Sequence, residues 1–331
     1  MTPAPVPAPV RTLDPAAADE LTRAARHVLA GTGTPAARPE PLERVAVTAA
    51  RLGATVRHHC RPVDTPDGLY VLRGLRVDDT ELGPTPPDWA AARDGGAVWN
   101  VLLLLLATVM GDPLAWTGQQ DGRFVHDIVP SPGHEREQTG AGSTALLSPH
   151  TEDAFHPGRA HLLMLGCLRN PDRVATTAAS IRKARLSHED VALLSRPELP
   201  IRPDDTYHEA HAFDGPPPKV PTLWRSADGL TLRFDPAYTP LDDAAPAYRA
   251  AYGRLADELA RVSVVVCLEP GDVLVVDNDL VVHGRVPFRA RYDGTDRWLK
   301  RTSVRVPGRR TRPATEAHEH GYGQTVIRAH S

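Results

Sequence analysis

The segment SPHTEDAFHPGR, Ser148–Arg159, places two histidines, a glutamate and an aspartate between His150 and His156. An imidazole and a carboxylate two residues apart share an ion only if the backbone is extended. Residues i and i+2 then project to the same side, whereas on a helix they diverge. Pro149 biases the residue before it towards the extended region. His150 and Glu152 therefore read as a pair able to hold a divalent transition metal, for which imidazole and carboxylate are suitable donors. The tripeptide alone is weak evidence, and its alternative is a solvated loop with satisfied side chains.

A third donor is needed, and His283 is the candidate. It follows GDVLVVDNDLVV, read as a hairpin that returns the chain towards the first pair. Val281, His283 and Arg285 share one face if this stretch is a strand. Two histidines and one carboxylate form a facial triad that leaves coordination positions open for reactants. His126, His134, His156 and His161 compete as donors. They are expected to be structural or at the surface, His156 in a turn before Pro157.

The stretch HGRVPFRARYDGTDRWLKR adds two arginines, Arg297 and Arg301, four residues apart. On a strand, positions 297, 299 and 301 face one side, so both guanidiniums enter one space. Guanidinium forks bind carboxylates through paired hydrogen bonds. Buried like charges are costly without counterions, so anionic ligands are expected there. The alternative is a surface pair held by Asp293 and Asp296.

The elements that must position these residues are partly visible. Asp14 and Pro15 start a helix whose Leu21, Ala25, Val28 and Leu29 share a face. Residues 1–12 read as a loose segment, 31–42 as a linker, and 66–83 as holding a short strand. A helix over 95–110 ends at Gly111 and Pro113. Residues 160–170 read as a buried strand, and 196–230 as an irregular, Pro-rich and Asp-rich loop. Tyr248, Tyr252, Leu255 and Leu259 mark another helix. The β-branched runs after Val262, punctuated by EPGD and DND, fit an antiparallel barrel or jelly roll.

Composition bounds the partners. A net charge of −3 with 24% charged residues implies no general attraction to nucleic acid. Val101–Met110 is too short to span a bilayer and reads as a buried helix. Three scattered cysteines, Cys60, Cys167 and Cys267, indicate neither a disulfide framework nor a zinc knuckle. With no basic and apolar leader at the start, a cytoplasmic protein is expected. Nothing in the pattern speaks to oligomeric state.

HTEDAFHP together with DNDLVVHGRVPFRARYDGTDRWLKR resembles the clavaminate synthase-like branch of Fe(II)/2-oxoglutarate oxygenases. The arginine β-hydroxylases of viomycin and streptothricin biosynthesis look most alike, over about Gly111 to Val306. The resemblance implies an α+β fold: a double-stranded β-helix (jelly-roll) core with flanking helices and an active-site lid over about 196–230. It implies one oxygenase domain over 1–331. His150, Glu152 and His283 would ligate Fe(II). Arg297 would hold the distal carboxylate of 2-oxoglutarate, with Thr176 touching the same co-substrate. Arg301 and Gln119, with Glu152, would hold the amino-acid end of the substrate, although Gln120 leaves the register of Gln119 open. Asp204 and Thr206 would close over a basic side chain, and Asp235 would meet its guanidinium.

The implied reaction uses O₂ and 2-oxoglutarate to hydroxylate a free arginine-like amino acid, at C3 by expectation, in antibiotic-type metabolism. One departure stands out. The arginine enzymes offer a second acid two residues beyond Asp235, and here that place is Ala237. If both share a strand face, the lost acceptor weakens the match to a guanidinium by about 1–3 kcal/mol. Enduracididine, citrulline, lysine or ornithine, and hydroxylation at C4, stay open. Two other classes remain: a metal-dependent hydrolase, which leaves Arg297 and Arg301 without a shared task, and a non-catalytic jelly-roll binding protein with a structural metal.

Overall fold

The helix Ala97–Met110 is buried along nearly its whole length. Together with the helices Pro15–Ala30 and Leu42–Ala49, it covers one face of an eight-stranded sheet. The computed structural model describes residues 8–30, 42–92, 96–207 and 215–329. Along the large sheet run, in order, Val10–Thr12, Leu69–Arg73, Val273–Asp277, Leu162–Arg169, Trp298–Arg305, Asp112–Trp116 and Val326–Arg328. Val125–Ile128 also pairs with Trp298–Arg305. A smaller sheet carries Val264–Val266, Thr176–Ser180, Val281–Arg285 and Leu147–His150.

Strand alternation assigns the cores. In Leu162–Arg169, Leu162, Met164 and Leu168 point to the helices, while Leu163, Leu165 and Cys167 join the second apolar cluster with the smaller sheet. Val273 and Val275 face the helices, and Leu274 and Val276 face the other way. Both faces are covered, which is why these strands read as uninterrupted apolar runs. On the next strand Trp298 belongs to the helix-side core, and Leu299 to the cluster shared with the smaller sheet. Arg301 projects on the same side as Leu299.

Several expectations are confirmed and others corrected. Asp14 caps the first helix, accepting from the Ala17 amide at 2.8 Å. The segment expected to be loose includes Val10–Thr12, a strand paired in parallel with Leu69–Arg73. Residues 1–7 and 31–41 lie outside the described residues. The loop expected over 196–230 ends in a two-stranded hairpin, Leu223–Ser226 with Gly229–Leu232. GDVLVVDNDLVV is not a hairpin: Val273–Asp277 and Val281–Arg285 belong to different sheets. The DND turn is a corner that carries the chain from one sheet to the other. Among the described residues, no helix is long and apolar enough to cross a membrane.

Candidate metal centre and its ligand cavity

The register of the smaller sheet brings the two histidines together. His283 lies opposite His150 in the antiparallel pairing of their strands. Their ring centroids are 4.5 Å apart. Gly284 permits the approach, because a Cβ there would sit 2.4 Å from the Leu147 carbonyl oxygen. Glu152 arrives by a route the sequence did not indicate. The strand ends at His150, and Glu152 sits in the following turn, where Asp153 adopts φ 51°. The extended backbone required of the His150–Glu152 pair thus stops at His150, and the two side chains meet through a turn instead.

One donor atom from each of His150, Glu152 and His283 lies within 4.8 Å of the others. The protonation pattern suits a cation. His150 donates from Nδ1 to the Ser148 carbonyl at 2.8 Å, which leaves Nε2 as a lone pair facing inward. Glu152 Oε2 is buried without a hydrogen-bond partner among the described residues, with His283 Nε2 at 3.4 Å and His150 Nε2 at 3.9 Å. Burial, then the neighbouring His283, hold His150 below its usual range and keep it neutral. Burial opposes ionisation of Glu152, but the Arg301 guanidinium outweighs it and holds the carboxyl well below the usual range. A neutral imidazole, as at His150, and an ionised carboxylate, as at Glu152, are the forms that ligate metal. The residues fit a divalent ion of the facial-triad type.

Arg297 and Arg301 line the same cavity as the triad. Arg297 is buried and donates to Thr176 Oγ1 at 3.1 Å, while its Nε has no hydrogen-bond partner among the described residues. Asp296 accepts instead from the Arg291 and Tyr292 amides, so the surface-pair alternative fails. Arg285, which sequence reasoning placed on the His283 face without a role, lines the cavity too. Among the described residues it donates only to the Gly142 and Ala145 carbonyls. Burial pushes Arg297 down to about 10, and burial with the nearby Arg297 pushes Arg285 to about 10. Among the described residues neither meets a carboxylate, which marks a subsite for an anion.

Arg301 is held on three sides. It donates to the Glu152 carboxylate, to Gln119 Oε1 at 2.9 Å and to His126 Nδ1 at 2.8 Å. Gln120 bonds instead to the Asp127 backbone, which resolves the register in favour of Gln119. A guanidinium only donates, so His126 is the acceptor tautomer. Burial pushes its pKa down to about 3. His126 is buried and structural, as expected, and its role is to orient Arg301. His134 pairs with Glu137 at the surface, while His156 and His161 bond to main chain, as expected.

The far wall is acidic. Asp204 and Asp235 both line the cavity. Asp204 Oδ1 accepts from the amide and hydroxyl of Thr206, and Gln119 donates to the same hydroxyl at 3.2 Å. Asp235 Oδ1 accepts from the Ala237 and Tyr238 amides at 3.1 and 3.3 Å. In each acid only Oδ1 is engaged among the described residues. Burial raises both, Asp235 to about 6. Asp235 and Ala237 do not share a strand face: they lie in a turn, and exposed Ala237 borders a neighbouring surface groove. The expectation that Ala237 removes an acceptor from this cavity is thus corrected. Tyr207, which sequence reasoning missed, is buried beside Asp204–Thr206 and donates to Asp153 at 2.7 Å. Residues 208–214 of the expected lid lie outside the described residues.

The family described as Taurine catabolism dioxygenase TauD, TfdA matches residues 104–303. The chain is 39% identical to enduracididine beta-hydroxylase of Streptomyces hygroscopicus, over 75% of this chain and 79% of that protein. It is 34% identical to L-ornithine/L-arginine 3-hydroxylase of Catenulispora acidiphila, over 72% and 77% of the two chains. The crystal structure of the non-heme iron oxygenase OrfP with Fe, succinate and (3S)-hydroxy-L-Arg superposes with a TM-score of 0.79 at 37% identity. That match covers 89% of this chain and 94% of OrfP. OrfP also has a crystal structure with Fe and alpha-ketoglutaric acid.

Proposed function

We propose, for a chain that belongs to the taurine catabolism dioxygenase TauD, TfdA family, hydroxylation of a free amino acid with a cationic, arginine-like side chain. The enzyme is a non-heme iron dioxygenase that uses 2-oxoglutarate and O₂. The observation that carries the substrate reading is the charge map of one cavity. Among the described residues, it offers Arg285 and Arg297 without a carboxylate at one end, and at the other Asp204 and Asp235, each engaged through Oδ1. An ω-cationic amino acid and a dicarboxylate together neutralise that map. The relatives named for enduracididine, ornithine and arginine support the same class.

In this reading His150, Glu152 and His283 hold Fe(II), which supplies the oxidative chemistry of C–H hydroxylation when bound. Arg297 and Thr176 fix the distal carboxylate of 2-oxoglutarate. Arg301, oriented by Gln119 and His126, takes the α-carboxylate, and Glu152 lies close enough to orient the substrate's amino end. Asp235 and Asp204 grip the side-chain cation, and Thr206 with Tyr207 helps shut water out. Two fixed ends place one carbon near the metal, and C3 is the expected site. The two sheets read as the halves of a double-stranded β-helix (jelly roll) in one oxygenase domain over 1–331, with a lid within 196–230. A cytoplasmic place in antibiotic-type metabolism fits this chemistry.

The test is anaerobic loading with Fe(II), then O₂ and 2-oxoglutarate, against arginine, enduracididine, ornithine, lysine, citrulline and asparagine. The expected outcome is gain of one oxygen on a cationic substrate, matched by succinate. Turnover of citrulline or asparagine in preference to every cationic member would overturn the substrate reading. Zinc-supported hydrolysis without O₂ would overturn the reaction.

A further inference from the structure

Glu152 is the one proposed ligand that no strand holds, since it stands in the turn beyond Leu147–His150. Its main chain is nevertheless fixed, by a side chain from the far side of the sequence. Asn278 Oδ1 accepts from the Glu152 amide at 2.8 Å, and Asn278 Nδ2 donates to the Glu152 carbonyl at 3.0 Å. The same Nδ2 donates to the Ala160 carbonyl at 3.2 Å. One carboxamide therefore closes a two-bond ring on one residue's backbone, as a neighbouring strand would. The orientation of the amide is forced, because its partners are an N–H on one side and carbonyls on the other. Asn278 is fully buried.

We infer that Asn278 is a positioning residue for the metal centre, setting the Glu152 backbone and hence the direction of its carboxylate. Its own placement explains the reach. Asn278 stands in the corner between the two sheets, five residues before His283. The acids on either side are pinned: Asp277 by Arg309 and Arg310, both at 2.6 Å, and Asp279 by Arg312 at 2.9 Å. The Asn278 amide donates to the His161 carbonyl at 2.8 Å. The corner that aims His283 thus also clasps Glu152, and two ligands from distant segments share one rigid support. Groups that orient metal ligands from behind typically change metal affinity about 10–100-fold when altered.

The inference rests on the iron reading above, and the experiment separates the two. Apo wild type, Asn278→Asp and Asn278→Ala are titrated anaerobically with Fe(II), and succinate formed per hydroxylated product is counted. Asn278→Asp keeps the acceptor for the Glu152 amide but turns an acceptor towards two carbonyls; Asn278→Ala removes the clasp without adding charge. The expected result is Fe(II) binding weakened about 10–100-fold in a folded variant, with succinate in excess over product. Arg254→Gln, which breaks the ion pair with Asp190 away from the corner, controls for lost stability and is expected to bind Fe(II) as wild type does. A folded Asn278 variant with wild-type Fe(II) affinity and coupling would overturn the proposal. Should neither variant fold, amide exchange in apo wild type decides: the Glu152 amide is expected to be protected before any metal is added, and fast exchange there overturns the clasp. Failure of wild type itself to bind Fe(II) would instead remove the iron reading.

Discussion

Two groups of buried arginines in this protein differ in what they touch. Near the C-terminus, Arg159 meets Glu316, Arg233 meets Glu319, Arg309 and Arg310 share Asp277, and Arg312 meets Asp279. In the cavity, Arg285 and Arg297 meet only carbonyls and a hydroxyl among the described residues. The first group has its counterions built in, and the second lacks them. A buried cation without an anion costs stability, whereas breaking a paired one costs more. Saturation thus marks the scaffold, and its absence marks the ligand site.

The largest effect is expected in the saturated group. Arg312→Met leaves Asp279 with only Arg159, at 3.7 Å, and should lower unfolding stability by about 3–5 kcal/mol in urea. Arg297→Met is the converse, with stability unchanged or raised. Stability losses of equal size in both variants would erase the distinction.

The acidic wall extends the comparison to the substrate. Asp235→Asn should raise KM for a cationic substrate about 10–100-fold, with kcat little changed, since a hydrogen bond to a charged group is worth about 1.5–3 kcal/mol. The pH dependence follows from the raised carboxyl of Asp235, at about 6 in the ligand-free cavity. Above that pH it is ionised and binds a cation; below it the acid is neutral and the attraction is lost. KM should be flat above pH 6 and climb on acidification below it, and Asp235→Asn should remove that limb. The smallest effect belongs to Tyr207→Phe, which deletes the bond to Asp153. At about 1 kcal/mol, it should raise the amino-acid KM about fivefold and leave Fe(II) binding unchanged. Weakened Fe(II) binding would show that Tyr207 acts on the metal centre rather than on closure.

The same contrast explains what could be read from the sequence. His150, Glu152 and His283 were legible because metal ligation demands particular side chains, and Arg297 and Arg301 because their spacing puts two cations on one face. The large-sheet strands were legible as apolar runs because both faces are buried. Glu152's turn, the corner at Asp277–Asp279 and the turn at Asp235–Tyr238 were not, because strand length and sheet membership are settled by pairing with distant segments. Ala237 was misjudged for that reason. Arg285, His126, Asn278 and Tyr207 escaped because their roles are contacts through space. Each has an ordinary reading where it stands in the chain.

The central claim is that the cavity's unpaired guanidiniums await a dicarboxylate beside a metal. Anaerobic calorimetric titration of 2-oxoglutarate into Fe(II)-loaded protein tests it most directly. Wild type should bind one equivalent, and Arg297→Met should bind about 100-fold more weakly, as loss of about 2.7 kcal/mol of charge-assisted bonding requires. Equal affinity in wild type and Arg297→Met would contradict the account.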